Sequence, residues 1–563
     1  MSGTATRVLR GLGVSPGEAS GPVARLAPPP QLPAAGGAVA DGEAESARAA
    51  DALEAVAAEL DRRAGNVDGA AREVLSAQAL IGRDPVLLEG VLGRIRDGLD
   101  APHAVADAFA EHRRALEGLG GYLAERAADL DDLRDRAVAL LLGLPMPGVP
   151  DPGHPFVLVA QDLAPADTAG LDPRTVRAIV TERGGATGHT AILAKQLGIP
   201  AVTACPAAAE LHEGEVILVD GLAGEVVVGP SADQVAQAEQ RTRERARRRA
   251  ESHGPGRTAD GRPIPLLVNI GGPGEAEAGL DSEGVGLLRT EFLFLGGRSE
   301  PPSLDEQREA YARVFAAFAG RRVVVRTLDV GADKPLPYLP TAQEPNPALG
   351  VRGLRLAGAY PQLFDEQLRA IALAAGASRA EVWVMAPMVA TVEEAAEFAT
   401  AARSHGLARA GVMIEVPAAA LSAREILAAV DFASLGTNDL AQYTFAADRL
   451  AGELAPLLDP WQPALLRLIG AVGRAGGELG KPIGVCGEAA SDPLLAPVLV
   501  GLGATSLSMA PASVAEVRTA LAEATVEDCR ARAAAACQAA SPADGRAVVA
   551  RLTSERAVSL STF

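Results

Sequence analysis

The chain has 563 residues, 48% of them hydrophobic but only 3% aromatic, and a formal net charge of −19. That length predicts about two to four domains, with cores built from Ala, Val, Leu and Ile. The acidic balance argues against a nucleic-acid surface, because phosphate binding needs a basic excess. Cys205, Cys486, Cys529 and Cys537 show no CxxC or metal-type spacing, so neither a disulfide framework nor a zinc site is expected. "MSGTATRVLRGLGVSPG" lacks the continuous apolar core of a signal peptide, and the longest uncharged run, residues 493–515, is broken by prolines and glycines. A cytoplasmic protein without membrane insertion is the expectation.

In chain order, "LAPPPQLPAAGGAVADG" (26–42) is a loop, and residues 43–143 are almost all helix formers. Breaks at "GRDP" (82–85), "GLDAPH" (98–103) and "GLGG" (118–121) divide this region into about four helices, a bundle or paired hairpins of the kind that presents a docking face. From residue 155 to 229 the texture changes to "FVLVA", "VRAIVT", "AVTA" and "GEVILVDG", the strands of a compact α/β unit. Inside it, "GGATGHTAILAKQLGIP" (184–200) delivers His189 from a glycine turn onto what reads as the first turn of a helix. Ala191, Ile192, Ala194 and Leu197 carry its apolar face, Gly198 and Pro200 stop it, and Thr187 is a candidate cap. Taken alone, a capping or buried histidine explains this turn as well as catalysis does.

Residues 230–253 form a linker helix whose basic second half reads as a solvated face. Eight strand candidates follow between residues 262 and 515: "IPLLVNI", "GVGLLR", "RVVVRT", "EVWVMAP", "GVMIE", "FASLG", "PIGVC" and "TSLSM". Eight strands alternating with helices predict a (β/α)8 barrel, whose active site lies at the carboxyl ends of the strands. Arg289 with Thr290 and Glu291 closes the second of these strands, and Arg326 the third, with Asp329, Asp333 and Lys334 behind it. Glu415 ends the fifth, and the sixth runs into Thr437, Asn438 and Asp439. Cys486, Gly487 and Glu488 end the seventh, and Arg449 lies beyond the sixth. Several arginines at one mouth suit phosphate and carboxylate, which guanidinium binds in a bidentate fork. The separated carboxylates Glu415 and Asp439 suit Mg²⁺, which takes one or two protein oxygens and completes its octahedron with water and substrate. A small phosphorylated carboxylate is the expected substrate.

"GVGLLRTEFLF", "VVVRTLDVGADKPLP", "NPALGVRGLR", "GVMIEVPAA", "SLGTNDLAQYTFAADR" and "GVCGEAA" look like the signatures of phosphoenolpyruvate-utilising enzymes. Nearly end to end, with "GLGVSPGEASGPV", "YLAERAADLDDLRDR" and "GGATGHTAI", the chain resembles the Enzyme I family of phosphoenolpyruvate-protein phosphotransferases of the sugar phosphotransferase system. The resemblance implies a phosphohistidine (swivelling) α/β domain over residues 1–24 and 144–229, with a helical subdomain inserted at 25–143. It also implies a linker helix at 230–254 and a (β/α)8 TIM barrel at 255–563 that pairs into a homodimer. By similarity, Glu415 and Asp439 hold Mg²⁺, while Arg289, Arg326, Asn438, Asp439 and Arg449 bind phosphoenolpyruvate. His189 becomes the phosphohistidine, Cys486 supplies the proton, and the phosphoryl group passes to the phosphocarrier HPr, docked on the helical subdomain. In that reading the glycine turn admits phosphate to the backbone and the helix amino terminus favours its charge.

Three positions depart from the family pattern. Gly188 stands where serine usually precedes the histidine, Leu450 and Ala451 follow Arg449 in place of Gly-Asn, and Ser76, Ala77 and Gln78 replace Glu-Ala-His. Two rival readings are a pyruvate phosphate dikinase or phosphoenolpyruvate synthase lacking its nucleotide domain, and a non-catalytic sensor of phosphoenolpyruvate. The chain has no glycine-rich phosphate loop ahead of the histidine unit, against the first, and it retains the strand-end charges, against the second.

Overall fold

The computed structural model describes residues 7–561 apart from 16, 27–28, 34–40, 66–69, 120–126, 145–146, 151, 164–170, 186–188, 296–299, 333–335, 337, 340–343 and 450–451. The chain separates into two compact units, residues 1–243 and 244–563.

In the first unit, β1 (Arg7–Arg10), β2 (Leu12–Ser15), β3 (Glu18–Arg25), β4 (Phe156–Ala160), β5 (Val176–Thr181), β6 (Ala201–Thr203), β7 (Val216–Asp220) and β8 (Glu225–Val228) form one mixed sheet. Its order is β1-β8-β7-β3-β4-β5-β6-β2, with β3 through β6 parallel. The run "FVLVA" is continuously apolar because β4 is covered on both sides. Val157 and Val159 pack with Val180, Val219 and Val226 on one face, while Phe156, Leu158 and Ala160 pack with Ile179 on the other. The second face is covered by the helix His189–Leu197 through Ala191 and Ala194. That helix is the crossover between β5 and β6, so His189 opens it at the carboxyl edge of the parallel strands, where α/β sheets bind ligands.

Between β3 and β4 the described residues include the helices Gly42–Ala64, Ala70–Gly82, Pro85–Arg96, Ala101–Leu119 and Ala127–Leu141. The sequence predicts about four; the described helices end at Ala64 and resume at Ala70 around "GNVDG" (65–69), whose two glycines about Asn-Val-Asp have turn composition. Asp41 caps the first helix, accepting from the amides of Glu43 and Ala44, and Asp84 caps the third. Leu60, Val91, Val105, Phe109 and Leu133 form the bundle's core. Gln78 is fully buried there, so one residue of the departing stretch 76–78 faces the core and not solvent. The helix Ala232–Glu251 follows as the sequence predicts, and the boundary between the units falls within it.

The second unit is a closed, all-parallel barrel of β9 (Leu266–Ile270), β10 (Gly284–Leu288), β11 (Arg322–Arg326), β12 (Glu381–Ala386), β13 (Ala410–Ile414), β14 (Ala433–Leu435), β15 (Ile483–Val485) and β16 (Ser506–Met509). These are the eight strands read from the sequence. Two short 3₁₀ turns, Pro273–Glu275 and Glu277–Gly279, stand where a full helix between β9 and β10 is expected. Two helices past the barrel, Val526–Gln538 and Pro542–Ser561, had no counterpart in the reading. Among the described residues no helix is long and apolar enough to cross a membrane.

Candidate active site

The histidine turn leaves β5 through Arg183, whose carbonyl accepts from Thr181 Oγ1 at 2.6 Å. Gly184 follows at φ +102°, a conformation that favours glycine. The hydroxyls of Thr190 and Thr203 are buried beside this turn without a hydrogen-bond partner among the described residues. Buried hydroxyls of this kind beside a helix start could hydrogen-bond an anion there. The proposed cap Thr187 and the departing Gly188 lie outside the described residues, as does the His189 side chain.

In the barrel, the strand ends converge. Arg326, the last residue of β11, is buried and donates from Nη2 to Glu291 Oε1 at 2.7 Å, with Nη1 3.2 Å from Asp329 Oδ2. Glu291 also accepts from the Asp329 amide at 3.1 Å, which ties β10 and β11 together. Arg352 arrives from the loop before β12, held by an antiparallel bridge to Gly331. Its guanidinium lies 3.0 Å from Asp329 Oδ2 and 3.6 Å from Asp439 Oδ1, and Arg449 Nη1 lies 3.8 Å from that same oxygen. Glu415, immediately after β13, accepts from the Met388 amide at 2.7 Å, and Met388 takes φ +59°. A β-carbon on Gly436 would fall 2.7 Å from Glu415 Oε2, so glycine there leaves room for the carboxylate. Asn438 and Asp439 open the helix Thr437–Phe445, and Asn438 Oδ1 accepts from the Glu488 amide at 3.2 Å.

Among the described residues, the carboxyl groups of Glu291, Asp329, Glu415 and Asp439 are buried together with two guanidiniums, Arg326 and Arg352, and a partly exposed third, Arg449, lies beside Asp439. Burial pushes the Glu415 carboxyl up to about 8, and the neighbouring Asp439 and Asp329 add to the rise, partly offset by Arg326 and the Met388 amide. Burial opposes the charge of Arg326, but Glu291, Asp329 and Glu415 more than offset that and hold it above its ordinary range. Asp439 Oδ1 is buried with no hydrogen-bond partner among the described residues. Two neighbouring carboxyl groups, one with a buried oxygen that makes no hydrogen bond among the described residues, fit a hard divalent cation, whose charge would favour the ionised form of Glu415. Among the described residues no group of three or more His, Cys, Asp or Glu is arranged to hold a metal by itself. Mg²⁺ does not require one, since it takes few protein ligands.

Cys486 is buried just past β15, and its thiol donates to the Leu435 carbonyl at 3.5 Å. Burial pushes it up to about 11, with Ser434, Arg326 and Arg289 pulling the other way, so at neutral pH it carries its proton. Arg289 sits past β10 and is exposed. The structure thus brings Arg326, Glu415, Asn438, Asp439, Arg449 and Cys486 to one mouth. Asp333, Lys334, Leu450 and Ala451 lie outside the described residues. Sequence reasoning missed Arg352, whose only signal was the quoted "NPALGVRGLR", and it gave Glu291 and Asp329 no task.

Three family descriptions match in tandem: "PEP-utilising enzyme, N-terminal" over residues 10–126, "mobile domain" over 152–224 and "PEP-binding domain" over 245–526. The phosphoenolpyruvate-protein phosphotransferase of Streptomyces coelicolor is 54% identical over 95% of this chain and 97% of its own. That of Haloferax volcanii is 40% identical, covering 93% and 95%, and that of Bacillus subtilis 37%, covering 91% and 93%. With three domains matched in order and identity of this level across almost the whole length, the chain belongs to the phosphoenolpyruvate-protein phosphotransferase family.

Proposed function

We propose that the chain transfers the phosphoryl group of phosphoenolpyruvate to His189 and from there to a histidine of HPr, releasing pyruvate, as the first step of a sugar phosphotransferase system. The observation that carries the chemistry is the buried mouth in which Arg326 and Arg352 are each locked by a carboxylate. In this reading Arg289, Arg326 and Arg449 grip phosphate and carboxylate, and Asn438 and Asp439 position them. Because Glu291 and Asp329 fix Arg326 before substrate arrives, little reorganisation is left for the reaction itself. Glu415 and Asp439 would hold Mg²⁺, which when bound supplies charge neutralisation at the phosphoryl oxygens and the departing enolate. A nitrogen of His189 forms the new bond to phosphorus as the bond to the enolate oxygen breaks, a step governed by alignment and charge more than by covalent assistance. Cys486, protonated and beside the mouth, gives its proton to the enolate carbon.

His189 and the substrate groups belong to different units of the chain, as a relay serving two partners in turn requires. The proposal assigns residues 1–24 and 144–229 to the phosphohistidine domain, 25–143 to HPr docking, 230–254 to the linker and 255–563 to the barrel and a homodimer. Incubation with labelled phosphoenolpyruvate and Mg²⁺ tests it. Acid-labile, base-stable phosphate should appear on the wild-type chain, discharge to added HPr, and be absent from His189→Ala, which should still bind phosphoenolpyruvate. Label that enters His189→Ala to the wild-type extent refutes the nucleophile. Label that requires a nucleotide favours the dikinase reading.

A further inference from the structure

Beneath Cys486 the barrel interior is not filled. Ser434, Gly484 and Ser506 lie side by side on β14, β15 and β16, in direct register. They border a cavity of about 20 Å³, enough for about one water molecule. Ile483 and Val485 are buried on either side, yet Gly484 between them is only half-buried, as are Arg322 and Pro482 at the cavity's outer end. Solvent therefore reaches this point from the side of the barrel away from the substrate mouth.

Packing accounts for other small residues here but not for this one. A β-carbon on Gly411 would fall 2.5 Å from the Phe432 ring, and one on Gly286 would fall 2.4 Å from Ser508 Oγ. At Gly484 the nearest atoms would be Ser506 Oγ at 3.3 Å and Ser434 Oγ at 3.5 Å, a space that alanine could occupy if the Ser506 hydroxyl gave by a few tenths of an ångström. Barrel interiors are normally layered with branched apolar side chains, whereas this gap is edged by the hydroxyl side chains of Ser434, Ser506 and Ser508. Ser434 stands one strand over from Cys486, and its chain neighbour Leu435 accepts from both the Cys486 amide, at 3.1 Å, and the Cys486 thiol, at 3.5 Å. The Cys486 carbonyl is held in turn by Asn269 Nδ2 at 2.9 Å, and Asn269 accepts from Ser508 Oγ at 2.6 Å.

We propose that the gap at Gly484 holds water and that Ser434 relays protons from it to Cys486, recharging the thiol from the barrel floor while substrate fills the mouth. This rests on the reading of Cys486 as the donor to the enolate. The protons balance. The thiol S–H bond breaks as a C–H bond forms on the enolate carbon. Ser434 gives its hydroxyl proton to the thiolate and takes one from the cavity water, which takes one from solvent. One solvent proton is consumed per pyruvate, with no oxidant or reductant.

The test compares two rates in the full chain with Mg²⁺: single-turnover phosphorylation of His189, in which no proton reaches carbon, and exchange of pyruvate methyl protons with deuterated water by NMR. Ser434→Ala and Gly484→Ala should slow exchange by about tenfold or more while phosphorylation changes far less. Ser434→Thr, which keeps the hydroxyl, and Gly484→Ser, which puts one in the water's place, should restore exchange to within a few-fold, as estimated for an intact donor. Cys486→Ala separates the two readings. If it exchanges at the wild-type rate, Cys486 is not the donor. If it is slow but Ser434→Ala and Gly484→Ala are both as fast as wild type, the donor stands and the relay falls. Equal slowing of phosphorylation and exchange in the two alanine variants overturns the relay too.

Discussion

Replacing Arg352 by methionine keeps most of the side-chain stem and removes the charge, and its cost can be worked from the mouth. Arg352 and Asp329 are each about 1% exposed, and Arg352 Nη2 lies 3.0 and 3.2 Å from the two Asp329 oxygens. Its Nη1 lies 3.6 Å from Asp439. The cluster holds four buried carboxyl groups, that of Glu415 raised to about 8, against two buried guanidiniums, and the substitution removes one of those two. Breaking a buried pair by deleting one partner costs about 3–5 kcal/mol, mostly because the stranded charge stays buried. At about 2–4 °C per kcal/mol for a domain of this size class, the barrel's calorimetric transition should fall on the order of 10 °C. Asp329 still faces Arg326 at 3.2 Å, so adding Asp329→Asn relieves uncompensated charge but also takes that partner away, and should recover only part of the loss. Phosphoenolpyruvate turnover should not recover with it, since the cation beside Asp439 is still missing. An Arg352→Met variant melting within about 2 °C of wild type refutes the reasoning, as does a double variant less stable than the single.

Two further outcomes follow from the same geometry. The Glu415 carboxyl is raised by burial, then by Asp439 and Asp329, to about 8 from an ordinary 4.5. Folding therefore takes up a proton between those values, and its contribution to metal-free stability is full below the lower one and lost as pH climbs through the upper. Urea midpoints in chelator should fall for wild type between about pH 6 and about pH 8.5, and much less for Glu415→Gln; equal slopes sink the idea. Glu415→Gln should also lose its response to added Mg²⁺ without unfolding. A β-carbon on Gly487 would sit 1.8 Å from Thr437 Oγ1 and 2.8 Å from its amide nitrogen. Gly487→Ala should displace the start of the helix carrying Asn438 and Asp439, costing about 1–3 kcal/mol in a melt and at least about tenfold in turnover. Full activity would show that this helix start tolerates the shift.

The barrel could be read from the sequence because each strand is a short apolar run closed by a charge, and charges at strand ends stand out against so apolar a background. That same contrast located Arg326, Glu415 and Asp439. It could not locate Arg352, which reaches the mouth from mid-loop through a single bridge to Gly331 and has no periodicity to betray it. Nor could it show that Glu291 and Asp329 spend their charge on Arg326, because a strand-end carboxylate looks the same whether it meets solvent, a cation or a guanidinium. In the helical region the break between Ala64 and Ala70 was hard to see, since "GNVDG" is set in a composition that otherwise favours helix throughout.

Arg326 and Arg352 are built into pairs and do not stand as free arginines. A bare cluster of guanidiniums would bind inorganic phosphate as readily as substrate. With Arg326 bonded to Glu291 and Asp329, and Arg352 to Asp329, much of the arginines' charge is met within the protein. In the proposed reaction substrate phosphate would meet arginines already fixed in place, and a bound divalent cation would supply further positive charge. Binding of metal and of phosphoenolpyruvate should therefore be strongly coupled, and by linkage each must tighten the other by the same factor. Asp439 Oδ1, buried and without a hydrogen bond among the described residues, would be the seat of that coupling, because in the proposed site it faces the cation as well as Arg352 at 3.6 Å and Arg449 at 3.8 Å.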